Sequence, residues 1–326
     1  MTSMHPSTTY PLRGVIIARL ARALRDLGHR IDVVEIGSDQ GFGRYISARR
    51  RVSQAVADLH PDLMHVHFGY SGVAVPRCSI PIITSFYGDD LNGTVTPSGS
   101  LTLKSLLGIL VGQWMASRSA RCIAVSAHLR DRLWLRDHRK KTAVIRDAVD
   151  LNLFRPMSRS HARERLGIAQ HDQLIIFPHD VKQATKRFWL ARRTLDLLTA
   201  SIPSARLWVV NGRPPDEMPW YYAAADAMIV TSEREGGPSS VKEALACGIP
   251  VVSVAVGDTE LFDEVPTWLV RADASPEALS AALREVLGRR NAAERCSHLP
   301  PGLTLDRAAE AISKLYEDVT RSRRTA

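Results

Sequence analysis

The chain has 326 residues, 45% of them hydrophobic and 24% charged, and carries a formal charge of +9. That length suits two domains, each able to bury its own core, and the composition excludes a disordered or fibrous chain. The positive balance, mostly arginine, selects anionic partners such as phosphates, nucleic acid or an acidic membrane surface.

The opening, Met1 to Pro6, has neither a basic n-region nor an apolar h-region. It reads as no secretory signal, which places the chain in the cytoplasm. A doubly wound domain usually opens on an apolar strand, but here Pro11 and Gly14 follow only ten residues, so the first strand is expected to be short or missing. A periodic helix over Ile16 to Leu27 ends at Gly28, the position of a C-cap glycine. Strands are predicted at Ile31 to Ile36, Leu63 to His67, Ile80 to Ser85, Cys122 to Val125 and Ala143 to Ile145. Between them a helix over Val52 to Leu59 is stopped by Pro61. The longest apolar stretch, Leu101 to Met115, is broken by Lys104 and Gln113 and falls short of the roughly 20 residues of a spanning helix, so it is read as a core helix.

The charged segment Leu151 to Ile168 interrupts this rhythm and reads as a linker. Strands then return at Leu174 to Phe177, Arg206 to Val210, Ala227 to Val230 and Pro250 to Val254, with helices near Phe188 to Thr199, Ser239 to Cys247 and Pro276 to Leu287. Alternation of this kind gives α/β domains with parallel sheets. The boundaries expected are 1–155 for a first Rossmann-like domain, 156–300 for a second, and 301–326 for a last helix able to pack back on the first. Cys78, Cys122, Cys247 and Cys296 form no CxxC pair, so free thiols are expected and neither a zinc site nor a disulfide framework.

Residues 233 to 248 read Glu-Arg-Glu-Gly-Gly-Pro-Ser-Ser-Val-Lys-Glu-Ala-Leu-Ala-Cys-Gly. A strand ending near Val230, a glycine-bearing loop and a helix beginning near Pro238 place a helix N-terminus at the carboxyl edge of a sheet, where open α/β sheets bind ligands. Ser239 or Ser240 can cap that helix, and the free N–H groups of Ser239, Ser240 and Val241 with the helix dipole make a phosphate site. Gly236 and Gly237 let a ligand approach the backbone. Glu235 and Glu243, with seven residues between them, then flank the phosphate, and a carboxylate accepting two hydrogen bonds holds a sugar diol. The plainer reading makes Glu235 a dipole partner and Glu243 a helix-surface acid. The surrounding Gly-Gly-Pro-Ser-Ser and Ala-Cys-Gly-Ile-Pro-Val-Val favour the ligand-holding one.

Glu235 to Val252 resembles the Glu-x7-Glu motif of the family-4 retaining glycosyltransferases of GT-B architecture. Ser126 to Arg130 and Ala148 to Pro156 look like two further segments of that family. His65 to Gly72, Gly88 to Thr94, Lys186 to Ala191 and Val256 to Asp258 are similar to the branch associated with teichuronic-acid and other cell-surface polysaccharide synthesis. The resemblance runs from about Tyr10 to Tyr316.

It implies two Rossmann-like doubly wound domains facing across a cleft, with a nucleotide diphosphate sugar as donor and a saccharide or lipid-linked acceptor. By position, Glu235 would contact the transferred sugar and Glu243 the ribose of the nucleotide. Lys186, Arg187 and the amides of Ser239 to Val241 would hold the diphosphate, with Gly14 the only candidate for the glycine that approaches it from the first domain. Retention of configuration by front-face attack, with no bound metal or other cofactor required, is also implied.

Three features depart from the pattern. Tyr87 stands before Gly88 where many members carry a sugar-contacting histidine, and tyrosine can still donate to a sugar hydroxyl. Asp180 stands where an arginine is usual, to be compensated by Lys182 or Arg187. The first strand is the third. They motivate an alternative, a catalytically weakened homologue that binds a nucleotide sugar or a partner protein without turnover. His65 and His67 share a strand face and could hold a metal, but no third ligand is evident. Asp89 and Asp90 could bind magnesium, although acids in a turn more often cap backbone. No nucleic-acid motif accompanies the basic charge, so nucleic acid is not expected. An acidic inner leaflet, touched peripherally by Arg118, Arg121, Arg130, Arg132 and Arg136, is the expected partner surface.

Overall fold

The computed structural model describes residues 1–2, 14–37, 43–93, 101–235, 237–259, 268–289 and 296–324. It divides into two compact units, Met1–Asp147 with Asp306–Ala326, and Ala148–Leu305.

In the first unit α1 (Val15–Asp26) buries Ile17, Leu20, Ala21 and Leu24, one face at helical spacing. It ends where Gly28, at φ +91, returns its N–H to the Arg25 carbonyl. Helix α2 (Gly43–Leu59) leads to β1 (Met64–His67), then β2 (Ile82–Phe86), the single turn α3 (Asp89–Asn92) and α4 (Leu103–Arg118). Strand β3 (Arg121–Ala124), the short helices α5 (Ala127–Asp131) and α6 (Arg136–Lys140), and β4 (Thr142–Val144) complete a parallel sheet in the order β1-β2-β3-β4. The chain's last helix, α12 (Leu305–Arg324), sets Tyr316 against this sheet, where its hydroxyl meets His65 Nδ1 at 2.7 Å.

Met1 and Thr2 take the place of the short first strand. Thr2 bridges Glu35 and His67 in parallel, with Thr2 N–H on the Val34 carbonyl at 3.1 Å and His67 N–H on the Met1 carbonyl at 3.0 Å. Predicted strand Ile31 to Ile36 is therefore reduced to that one bridge, because a strand without a ladder partner has nothing to pair its backbone. The core-helix reading of α4 needs a correction as well. Its inner face is dense with small residues: a Cβ on Gly112 would collide with the Asp90 carbonyl, and one on Gly108 with the Tyr70 ring. Its outer face, Leu103, Leu106, Leu107, Leu110 and Trp114, stands in solvent.

In the second unit the segment read as a linker contains α7 (Arg159–Leu166). Arg163 on it is fully buried and completely satisfied, by the carbonyls of Ala169, Gln170, Asp172 and Ala224 and by Asp226 at 2.9 Å. A lone arginine in a charged stretch gave no sign of that, since the partners come from elsewhere in the chain. The sheet then runs through β5 (Gln173–Phe177), α8 (Phe188–Thr199), β6 (Ala205–Val209), α9 (Met218–Ala224), β7 (Ala227–Val230), α10 (Ser239–Ala246), β8 (Val251–Val254), β9 (Leu269–Ala272) and α11 (Pro276–Gly288). All strands are parallel in the order β6-β5-β7-β8-β9. β5 and β7 are neighbours whose connections leave in opposite directions, which makes their carboxyl ends the switch point where such sheets open a crevice.

Candidate functional site

Three loops converge at that switch point, after β5, β7 and β8. Lys186 and Glu235 meet there, Nζ to Oε1 at 2.6 Å, with side chains 16% and 15% exposed. The loops are stitched by backbone: Glu233 N–H donates to the Thr185 carbonyl at 2.8 Å, and the Thr231 hydroxyl to the Lys186 carbonyl at 2.7 Å. Arg187, in the left-handed region at φ +47, turns its guanidinium onto the carbonyls of Thr231 at 2.6 Å and Ser232 at 3.3 Å. Sequence reasoning expected this arginine to hold diphosphate; the structure engages it in tying the two loops together. Asp180 accepts from the Lys182 N–H at 2.9 Å and so shapes the start of the same loop.

Helix α10 begins at Ser239 with Pro238 as N-cap and no side-chain cap. The expectation that Ser239 or Ser240 caps it does not hold, because a proline in extended conformation already ends the loop. Val241 N–H donates to the Pro238 carbonyl at 3.2 Å and Lys242 N–H to the same oxygen at 3.4 Å, so Val241 is not a free donor as expected. The amides of Ser239 and Ser240 stand ahead of this first helical closure. Gly236 lies outside the described residues. Glu243 receives the Tyr222 hydroxyl at 2.9 Å, and burial, with the charge of Glu243 second, holds that phenol well above its ordinary pKa.

Beneath the loop lies a pair that the spacing argument did not single out. Lys242 Nζ and Asp258 Oδ2 approach to 2.8 Å with side chains 0% and 4% exposed. Their approach makes an ion pair without hydrogen-bond geometry, and among the described residues neither group has a hydrogen-bond partner. A Cβ on Gly237 would lie 3.2 Å from that ammonium and 3.3 Å from that carboxylate, so the loop backbone rests directly on the pair. Gly257, at φ +62, is equally constrained: a Cβ there would lie 2.8 Å from Pro238 Cδ and 3.2 Å from Glu235 Cβ. Among the described residues, the buried Ser232 hydroxyl and His179 Nε2 have no hydrogen-bond partner at the same edge. Burial, then the charge of Lys186, lowers the His179 pKa to about 3. The quoted Val256 to Asp258 segment was the one available signal for Asp258; nothing in the sequence pointed to His179 or Lys242.

Gly257→Ala is expected to lower the melting midpoint more than Gly212→Ala does, since each adds strain of roughly 1–2 kcal/mol in the left-handed region and only the first also displaces Pro238 and Glu235. Gly212→Ala, at φ +69 with nothing within 4 Å, carries the strain alone. Thermal unfolding of both variants separates the two causes, and equal losses would remove the loop contact from the account.

In the first unit Tyr87, half-buried, bonds His67 Nδ1 at 2.7 Å, and His65 bonds Ser85 and Tyr316 at 2.8 and 2.7 Å. Asp90 accepts the N–H groups of Gly69, Tyr87 and Gly88 at 3.0 to 3.3 Å, the backbone-capping role, and so fixes the turn that carries Tyr87. Gly14, at φ +68, opens α1. The described residues contain no group of three or more metal-ligating side chains.

Burial keeps His65 neutral at a pKa of about 3 and lowers His67 well below 6.5, while it raises Asp90 to about 6. An imidazole depressed on folding contributes its full stability above pH 6.5 and loses it as pH falls, because the unfolded chain takes the proton first. Asp90 acts oppositely, gaining as pH falls from about 6 toward 3.8. Three such histidines, His179 included, outweigh one acid. Thermal unfolding should therefore move down by several degrees between pH 6.5 and 4.5, and more steeply in Asp90→Asn. A scan in which the midpoint stays level would show that the imidazoles are not held neutral.

Residues 14–153 match the model of Glycosyltransferase Family 4, and residues 180–289 that of Glycosyl transferases group 1. A D-inositol 3-phosphate glycosyltransferase of Geodermatophilus obscurus is 28% identical over 277 residues, 71% of this chain and 60% of its own length. TuaC of Bacillus subtilis, named for teichuronic acid biosynthesis, is 24% identical over 315 residues, 86% of this chain and 78% of its own. Among solved structures, sucrose-phosphate synthase from Thermosynechococcus elongatus superposes with a TM-score of 0.74 at 16% identity, covering 94% of this chain and 93% of that one. Anabaena Alr3699/HepE in complex with UDP-glucose does so at 0.64 and 16%, covering 100% and 98%. These likenesses establish the two-unit parallel α/β fold as GT-B.

Proposed function

Because the chain belongs to the glycosyltransferases that those two family models define, we propose that it transfers a sugar from a nucleotide diphosphate sugar to a saccharide or lipid-linked acceptor with retention of configuration. The observation that carries this reading is the Lys186–Glu235 pair at 2.6 Å beside the uncapped start of α10. The diphosphate sits on the amides of Ser239 and Ser240 and over Gly237, where the helix dipole and the Lys186 ammonium offset its charge. Glu235, already orienting that ammonium, faces the transferred sugar, and Glu243, steadied by Tyr222, takes the ribose.

In the transfer step the bond from the anomeric carbon to the diphosphate oxygen breaks and the acceptor oxygen bonds the same face of that carbon. The acceptor's proton passes to the departing phosphate. The fixed Lys186 ammonium and the amides stabilise the charge that builds there, a role that a divalent ion fills elsewhere. In the first unit, taken by itself, Tyr87 on the turn fixed by Asp90, its hydroxyl on His67 Nδ1, is the proposed sugar contact, and Gly14 at the start of α1 the proposed point of close backbone approach. Teichuronic-acid biosynthesis in the name of TuaC supports a cell-surface polysaccharide product; assembly at the inner face of the membrane is part of the same proposal.

Arg187 tied to carbonyls and Asp180 in place of a cation favour a second reading, a homologue that binds the donor without turnover. A panel of UDP-, GDP- and ADP-sugars decides between them. Nucleotide release abolished by Glu235→Ala supports transfer; donor binding with equal background release in both proteins supports the second reading; no binding of any donor ends both.

A further inference from the structure

The outer face of α4 is apolar and uncovered. Leu103, Leu106, Leu107, Leu110 and Trp114 recur at the spacing of one helical stripe, with exposures from 45% at Trp114 to 74% at Leu103. Gln113, the inward neighbour of Trp114, donates to the Arg132 carbonyl at 3.1 Å and accepts the Trp134 N–H at 3.0 Å, which brings a second exposed indole beside the stripe. The helix is thus apolar on both sides, a composition that belongs in a core or against lipid, and only its inner side is in a core.

Charge says which. No aspartate or glutamate occurs between Asp90 and Asp131, whereas Lys104 and Arg118 are on the helix, Arg132 is joined to it through Gln113, and Arg136 opens the short helix that follows. Arg118 lies over the Trp114 ring at 4.9 Å. Leucines and tryptophans on one face with a basic margin are the elements of a helix that lies in a bilayer interface, its indoles at headgroup level and its cations on anionic lipid. At 16 residues α4 is about 24 Å long, too short to cross, and among the described residues no helix is long and apolar enough to span a membrane.

We propose that the first unit docks on an anionic lipid surface through the outer face of α4, with Arg132 and Arg136 at its margin. The lipid-linked acceptor proposed above would give this docking its purpose, but the surface is read from this unit alone.

Cosedimentation with phosphatidylcholine vesicles, with and without roughly 30% phosphatidylglycerol, tests it. The full chain should bind the anionic vesicles at least about tenfold better than the neutral ones, with added salt weakening the binding. Leu107→Glu with Leu110→Glu, at solvent-exposed positions, should lower binding by about 100-fold while the melting midpoint stays put. Arg132→Gln with Arg136→Gln should remove most of the preference for anionic lipid. Failure of the full chain to sediment with anionic vesicles overturns the proposal, as does glutamate-variant binding equal to wild type. So does a dimer in light scattering that the glutamate pair dissolves, which would assign the face to a second copy. Vesicle binding without cleavage of any sugar nucleotide would instead end the enzymatic reading and leave the surface standing.

Discussion

Exchanging Lys186 for methionine should slow sugar transfer by roughly 10²–10³-fold and cost the fold less than removing a fully buried charge. The ammonium is held twice, by Glu235 at 2.6 Å and through its own carbonyl by the Thr231 hydroxyl, so it is fixed before any ligand arrives. A fixed charge is worth most where charge is created, and the diphosphate gains its charge as the glycosidic bond breaks. The loss should therefore fall on kcat more than on the donor KM. Stability should fall by less than at the Lys242–Asp258 pair, because Glu235 at 15% exposure keeps some contact with water. Arginine at this position should recover part of the rate. Initial rates across donor concentrations decide the matter: a variant within about threefold of wild type in kcat would remove Lys186 from the reacting centre.

Replacing Lys242 with methionine should instead cost the fold itself about 3–5 kcal/mol, a fall in melting midpoint on the order of 10 °C. With Lys242 gone, Asp258 keeps a carboxylate at 4% side-chain exposure with no hydrogen-bond donor. Asp258→Asn leaves the mirror problem, a buried ammonium without its counter-charge. The double variant Lys242→Met with Asp258→Asn should regain most of the lost stability, since an uncharged pair has little left to desolvate. Donor affinity should follow a different pattern, because the Gly237 backbone rests on these two groups and even the stable double variant re-sets that loop. Calorimetry of the two singles and the double checks the first claim. If the double were no more stable than the singles, the pair would not be the support it is taken for.

Much of the second unit could be read from residue order. Ala227 to Val230 ending at a glycine-bearing loop forces a strand, a turn and a helix start, and that arrangement put Glu235, Gly237 and Ser239 where they stand. What could not be read came from partners distant in the chain. Lys242 looks like a solvated helix residue until β8 delivers Asp258 beneath it, and Arg187, read as a phosphate ligand, also ties its guanidinium to the carbonyls of Thr231 and Ser232. In the first unit, helical periodicity located α1, but pairing decides strands: Ile31 to Ile36 carries the apolar pattern and, among the described residues, forms a strand bridge only with Thr2. The stretch Leu101 to Met115 misled for a further reason. Apolar content says that a face avoids water, not which solvent replaces it.

The glycine-lined inner side of α4 has a mechanical consequence. At Gly112 the helix backbone lies on the carbonyl of Asp90, the residue whose carboxylate fixes the turn bearing Tyr87. A side chain at position 112 would have to displace the Asp90 carbonyl, so the helix and the tyrosine-bearing turn can only be seated together.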